Sequence, residues 1–389
     1  MRLRFCNGLS IFVQDKHFPN TDLLESPSGI GESPRLQWIQ ALRAFAAFGV
    51  LVFHVVPLSS TGQAGGFVLK LSQVGIFGVD LFFVLSGFVL ARSSIAVQNQ
   101  AGIRQFLAQR IIRIFSGYYL ALIPLALLLL AGMPPLSAQV QTLPSLLLTE
   151  WRMENNLLPV AWSLTFELWF YGCFTVLLAL GSRVRVRLRW VLWLFLGLIL
   201  WHAAWAVLRW DDWVNERVPL VFFATGLGLE FLMGSMLGYA SPASRRHLAL
   251  YAAGVGFLFL GGFGLILLDF SLIRVSAIRA LTAGLAAFGL LLLALGLEKS
   301  RTEGRLRLRP NRFLVAIGDA SYSLYLLHSI IIGGYLWLRI KYSAGDQVPL
   351  SNLESVGIVL GCCTTSVFWF SAVERPVTNF TRRLFGDRR

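Results

Sequence analysis

Apolar runs of about 20 residues recur along almost the whole chain, and runs of that length and composition cross a bilayer as helices. Ten of them fall near positions 38–58, 73–91, 111–132, 159–180, 190–208, 219–240, 248–268, 275–297, 313–338 and 350–373. Of the 389 residues, 56% are hydrophobic and only 14% charged, too few charges for a soluble surface around so many such runs. The expected fold is an all-α, polytopic membrane bundle of ten helices. Residues 1–37, with Pro19, Pro27 and Pro34 among several Ser and Gly, read as a disordered cytoplasmic leader. Residues 38–376 form the helical domain and 377–389 a basic cytoplasmic tail.

The formal net charge of +14 would point to nucleic acid in a soluble protein. Here the basic residues sit in short loops, so membrane lipids are the expected partner and nucleic acid is not. The N-terminus, the even-numbered loops and the tail hold 24 Lys and Arg, and the odd-numbered loops hold seven. Basic residues collect on the cytoplasmic side, so both termini are expected there. The runs Arg183 to Arg189 and Arg301 to Arg312 read as anchors at the inner surface. Cys6, Cys173, Cys362 and Cys363 have no metal-type spacing, and no metal is expected.

The first span carries two ionisable residues, Arg43 and His54. Eleven steps of a helix bring a side chain back to within about 20° of its starting face and about 16 Å along the axis. An ionisable side chain inside a span is expensive and faces a protein interior. With both termini inside, Arg43 lies toward the cytoplasm and His54 toward the outer side. Asp80 in the second span and Glu167 in the fourth fall near the depth of His54. A carboxylate beside a histidine fixes its tautomer and raises its basicity, so Asp80 or Glu167 is the expected partner of a general base at His54. A structural ion pair and an interhelical hydrogen bond are the plainer readings of the two acids.

Gly87 shares a face with Asp80 and admits a close neighbour. Ser163, Glu167 and Tyr171 form a stripe at i, i+4, i+8. Ser321, Tyr325 and His328 form another, toward the outer side, where a lone histidine is more often a satisfied core residue. His202 and His247, at span ends, carry no such pattern. Arg110 and Arg113, three apart at the cytoplasmic start of the third span, present forked donors suited to phosphate. Glu374, Arg375 and Pro376 read as a helix stop with an ion pair. Arginines thus gather at one end and His54, Asp80, Glu167, Ser163 and His328 at the other. That pattern suggests a cytosolic anionic donor meeting an extracytoplasmic acceptor.

Arg43-x10-His54, GVDLFFVLSGF at 78–88, Arg110-x-x-Arg113, WSLTFELWFY at 162–171, SYSLYLLH at 321–328 and ERP at 374–376 together resemble the membrane acyltransferase-3 family across about residues 36–380. Its members are bacterial integral membrane O-acyltransferases acting on O-antigen, exopolysaccharide, peptidoglycan, Nod factors and macrolides. The resemblance implies an inner-membrane enzyme that moves an acyl group, most often acetyl, from cytosolic acyl-CoA to a hydroxyl of an extracytoplasmic or lipid-linked glycan. It implies essential roles for Arg43 and His54 and a functional Arg110–Arg113 pair. Combined with the pattern above, His54, Asp80 and Glu167 become the catalytic candidates and Arg43, Arg110 and Arg113 the donor-binding ones. Ser163, Tyr325 and His328 are candidates on the acceptor side. Ser86 and Ser163 remain open as acyl-enzyme nucleophiles. Some members carry a fused extracytoplasmic esterase-like domain. This sequence stops thirteen residues after Pro376, so a stand-alone enzyme is expected. The alternative from another class is a transporter or flippase of a lipid-linked sugar, which needs charged helix faces but also favours inverted repeats and helices broken near the midplane.

Overall fold

The computed structural model describes residues 36–63, 65–97, 99–181, 183–208, 226–240, 247–267, 279–304, 309–342 and 349–385. Residues 1–35 of the expected leader and the end of the tail lie outside them. Ten long helices cover most of the described residues: α1 (Gln37–Val55), α2 (Gly78–Ser93), α3 (Gln100–Leu130), α4 (Trp162–Leu180), α5 (Val184–Leu208), α6 (Leu227–Tyr239), α7 (His247–Leu267), α8 (Leu285–Thr302), α9 (Ser321–Tyr342) and α10 (Asn352–Trp369). Seven, α1 to α4 and α8 to α10, are long and apolar enough to cross a membrane once their adjoining turns are included. The other three, α5, α6 and α7, lie next to residues outside the described set. The protein is an all-helical, polytopic membrane protein.

Helix ends follow local chemistry. Asn99 accepts from Gly102 N at 2.7 Å and starts α3 about three turns before the expected apolar boundary, so Arg110 and Arg113 lie well inside a helix. Ser351 and Glu354 form a reciprocal capping box at the start of α10. Glu298 of α8 accepts from Trp38 N at 3.2 Å, placing a carboxylate at the positive end of α1. The ninth expected span divides at Ala320 into a short helix, Arg312–Asp319, and α9.

Membrane helices gain little from burying apolar surface against one another, since lipid is equally apolar. Close approach of backbones at small residues supplies the attraction instead. In the α2–α6 contact, a Cβ on Gly87 would lie 1.9 Å from Phe231 O, and one on Gly234 would lie 1.9 Å from Val84 O. Ser235 Oγ reaches Gly87 O at 3.3 Å across the same seam. The close neighbour expected at Gly87 is therefore a helix.

The run Arg183 to Arg189 is divided by burial. Arg183, Arg185 and Arg189 are exposed, as anchors should be, whereas Arg187 is 1% exposed. Its guanidinium donates to Gly181 O at 2.6 Å, Ser94 O at 2.7 Å and Val97 O, tying α5 to the segment that ends α2. The exposure of three of these arginines fits the expected anchors. The fourth satisfies carbonyls left over by a helix end.

Gly87→Ala should force the α2–α6 seam apart and cost about 1–3 kcal/mol, the usual range for overpacking. Thermal unfolding of detergent-purified protein should show a clear fall in midpoint for Gly87→Ala. Gly172→Ala, where an added Cβ meets nothing within 4 Å, should stay at the wild-type value or above it.

Candidate active site

A cavity of about 100 Å³ opens among α1, α2, α3, α4 and α9. It follows α2 from Val79 to Leu90, about 16 Å at the helical rise. Side-chain contacts fix the order of groups along it. Phe82 meets Tyr325 edge to face, with ring centroids 6.0 Å apart. One turn on, Ser86 donates to Glu167 at 3.1 Å. Beyond that, Arg110 donates to Ser93 Oγ at 2.9 Å. The slot therefore has an arginine end and a Tyr325 end.

Arg43, Arg110 and Arg113 all line it. Arg43 lies within electrostatic reach of Arg113, Asp319, Glu167 and Glu374. Like charges this close need countercharge in a poorly solvated site. Glu374 contributes some of it. It is buried in a π-turn, Phe370–Glu374, accepts from Ser323 Oγ, and interacts with Arg113 and Arg43. The helix-stop reading of Glu374 misses this inward role.

Glu167 accepts from Tyr171 OH at 2.6 Å as well as from Ser86. Its expected contact with His54 is replaced by these two hydroxyls, so it shapes the middle of the slot. Ser163 Oγ lies 2.8 Å from Tyr325 OH, which also donates to Val160 O at 3.0 Å. Tyr322 spans the slot's wall to donate to Ile114 O at 2.7 Å, and Gly117 leaves room for its ring.

His54 and His328 stand past the Tyr325 end. Their rings are 5.0 Å apart, and the His328 ring is 6.0 Å from that of Tyr325. His54 Nδ1 lies 2.8 Å from Val50 O, and His328 Nδ1 lies 3.1 Å from Leu324 O. A carbonyl accepts only, so each neutral ring carries its proton on Nδ1 and a lone pair on Nε2. His328 Nε2 is buried and has no hydrogen-bond partner among the described residues. His54 is half-buried. The orienting group that a carboxylate was expected to supply is the carbonyl four residues back in the same helix.

Asp80 is the clearest departure from expectation. Both its oxygens accept from Arg279, at 2.7 and 2.8 Å, and both side chains are buried. Glu230 is fully buried within reach of the same pair. The plainer reading of Asp80, a structural ion pair, matches this geometry. Arg279 fell inside an expected span with no partner assigned, and charge balance within the membrane was the signal that could have joined it to Asp80. The charge of Arg279 also reaches Tyr325, which links the pair to the end of the slot. The side chains of His202 and His247 lie outside the described residues.

Sequence comparison identifies the protein's relatives. The acyltransferase-3 family model, described as an acyltransferase domain, matches residues 36–375. The exopolysaccharide production protein ExoZ of Rhizobium meliloti (strain 1021) is 29% identical over 317 residues, 78% of this chain and 90% of that protein. The acyltransferase MdmB of Streptomyces mycarofaciens is 25% identical over 91% of this chain and 94% of its own length. The O-acetyltransferase OatA of Staphylococcus aureus (strain NCTC 8325 / PS 47) is 24% identical over 82% of this chain, which spans 53% of that protein. No solved structure matches the chain. With a family match over nearly its whole length, the chain belongs to the acyltransferase-3 family and is a membrane acyltransferase of the O-acetyltransferase-like kind.

Proposed function

We infer that the protein transfers an acetyl group from cytosolic acetyl-CoA to a hydroxyl of an extracytoplasmic or lipid-linked glycan at the inner membrane. The observation that carries this reading is the slot itself, with three arginines at one end and a histidine pair past the other. The printed names of ExoZ and OatA, an exopolysaccharide production protein and an O-acetyltransferase, support the acceptor and the acyl group respectively. An acyltransferase domain over residues 36–375 leaves the transporter alternative without support.

Arg110, Arg113 and Arg43 bind the phosphates of CoA, and the pantetheine arm follows the slot toward Tyr325. The acceptor hydroxyl approaches from the opposite side. His54 Nε2 takes its proton as the oxygen attacks the thioester carbonyl carbon. The tetrahedral intermediate then collapses, the carbon–sulfur bond breaks, and His54 returns the proton to the departing thiolate. Direct transfer needs only one base, and the lone pair at His54 Nε2 meets that need. Glu167 holds Tyr171 and Ser86 along the donor path, and Ser163 fixes Tyr325 where donor and acceptor meet. The arginine end faces the cytoplasm, with both termini on that side, the leader at 1–37 and the tail at 377–389. The segment 133–158 faces outward.

Three measurements test this reading. Arg113→Ala should weaken acetyl-CoA binding by about 10- to 100-fold, the value of a hydrogen bond to a charged group. Arg113→Lys should recover only part of it, because an ammonium cannot reproduce the fork. Unchanged affinity in folded Arg113→Ala protein removes it from the donor site. His54→Gln should keep acetyl-CoA affinity while turnover falls by about 10²–10⁴. A variant retaining more than about a tenth of wild-type turnover moves the base elsewhere, with His328 the first alternative. A cysteine placed at exposed Gln141 should react with a membrane-impermeant maleimide in intact cells, with the parent protein as background. Labelling only after permeabilisation reverses the orientation.

A further inference from the structure

The slot is described as holding acyl-CoA, and its far end bears on which acyl group that is. On α2 the half-buried positions Phe82, Ser86 and Val89 recur at i, i+4 and i+7 and face the cavity. Ser86 is engaged by Glu167, and the charged groups of the lining lie from there toward the arginines. Phe82 is the large apolar side chain at the opposite end. Its edge meets Tyr325, whose hydroxyl is held by Ser163 and Val160 O. One wall of this closure is thus pinned by two hydrogen bonds, while the other is a ring with no polar tether.

We propose that Phe82, a wall of the slot's far end packed on the fixed Tyr325 ring, sets the length of the acyl group and confines it to a short chain. The inference rests on the acyl-CoA reading above. Geometry supports the limit: the two rings meet edge to face with centroids 6.0 Å apart, in contact, so a chain longer than acetyl meets the Phe82 ring. Removing the ring enlarges a slot whose lining already includes Val79 and Leu164, apolar side chains suited to methylenes. Each methylene then buried is worth roughly a fourfold gain in affinity.

The test is equilibrium binding of CoA, acetyl-CoA and hexanoyl-CoA to the full chain in nanodiscs. Wild type should bind acetyl-CoA at least as tightly as hexanoyl-CoA. Phe82→Ala should shift the hexanoyl-to-acetyl affinity ratio at least tenfold toward hexanoyl while CoA affinity stays the same. Phe82→Leu, a smaller truncation that guards against loss of folding, should shift it in the same direction by less. Phe82→Trp should weaken acetyl-CoA relative to CoA. An unchanged ratio in variants that bind CoA like wild type overturns the role of Phe82 and leaves the donor site standing. If wild type binds none of the three compounds, the donor reading falls, and this inference falls with it.

Discussion

A guanidinium inside a helix bundle must find partners within the protein, and much of this structure is arranged around that requirement. Removing one partner of a buried ion pair costs about 3–5 kcal/mol, because it strands a charge away from water. Arg279 meets the need with both oxygens of Asp80, and Arg187 with three backbone carbonyls. Each solution also joins distant parts of the chain. Asp80 and Arg279 connect α2 to the entry of α8, and Arg187 connects α5 to the end of α2.

Arg43 and Arg113 are handled differently. They face a cavity, with Glu374 and Glu167 near enough to offset part of their charge. That setting separates them from Arg279 and Arg187, which are buried and enclosed by protein. Glu374 approaches them from a π-turn, where an extra residue in the helical ladder re-aims a side chain, and such turns are common at functional sites.

The cavity depends on close packing elsewhere. The seam at Gly87 and Gly234 draws α2 and α6 together by their backbones, while Phe82, Ser86 and Val89 on α2 remain turned to the slot. A slot of this shape needs rigid walls, and aromatic residues supply them. Tyr322 and Tyr325 are each tied to a backbone carbonyl of another segment, and Phe83 packs edge to face on Phe170 at 5.7 Å.

Much of the architecture was legible from the amino-acid sequence because membrane insertion is governed by length and hydropathy, which are local properties. The helical character of the chain, the intramembrane positions of Arg43 and His54, and the i, i+4 stripes on α4 and α9 follow from spacing alone. The separation of Arg43, Arg110 and Arg113 from His54 and His328 was legible too, before any contact was known. Partnership was not. Asp80 was expected near the depth of His54, yet Gly75 packs on Gly49 and Gly78 on Ala46, which sets Asp80 well toward the Arg43 end of α1; it belongs to Arg279, and Glu167 belongs to Tyr171 and Ser86. Residues on different helices pair according to how those helices are shifted, rotated and ordered round the bundle. Small residues such as Gly87 and Gly234 help decide that rotation, through packing that only the tertiary structure contains. The sequence determined which groups lie within the helices, and the fold decided at what level they meet and which of them touch.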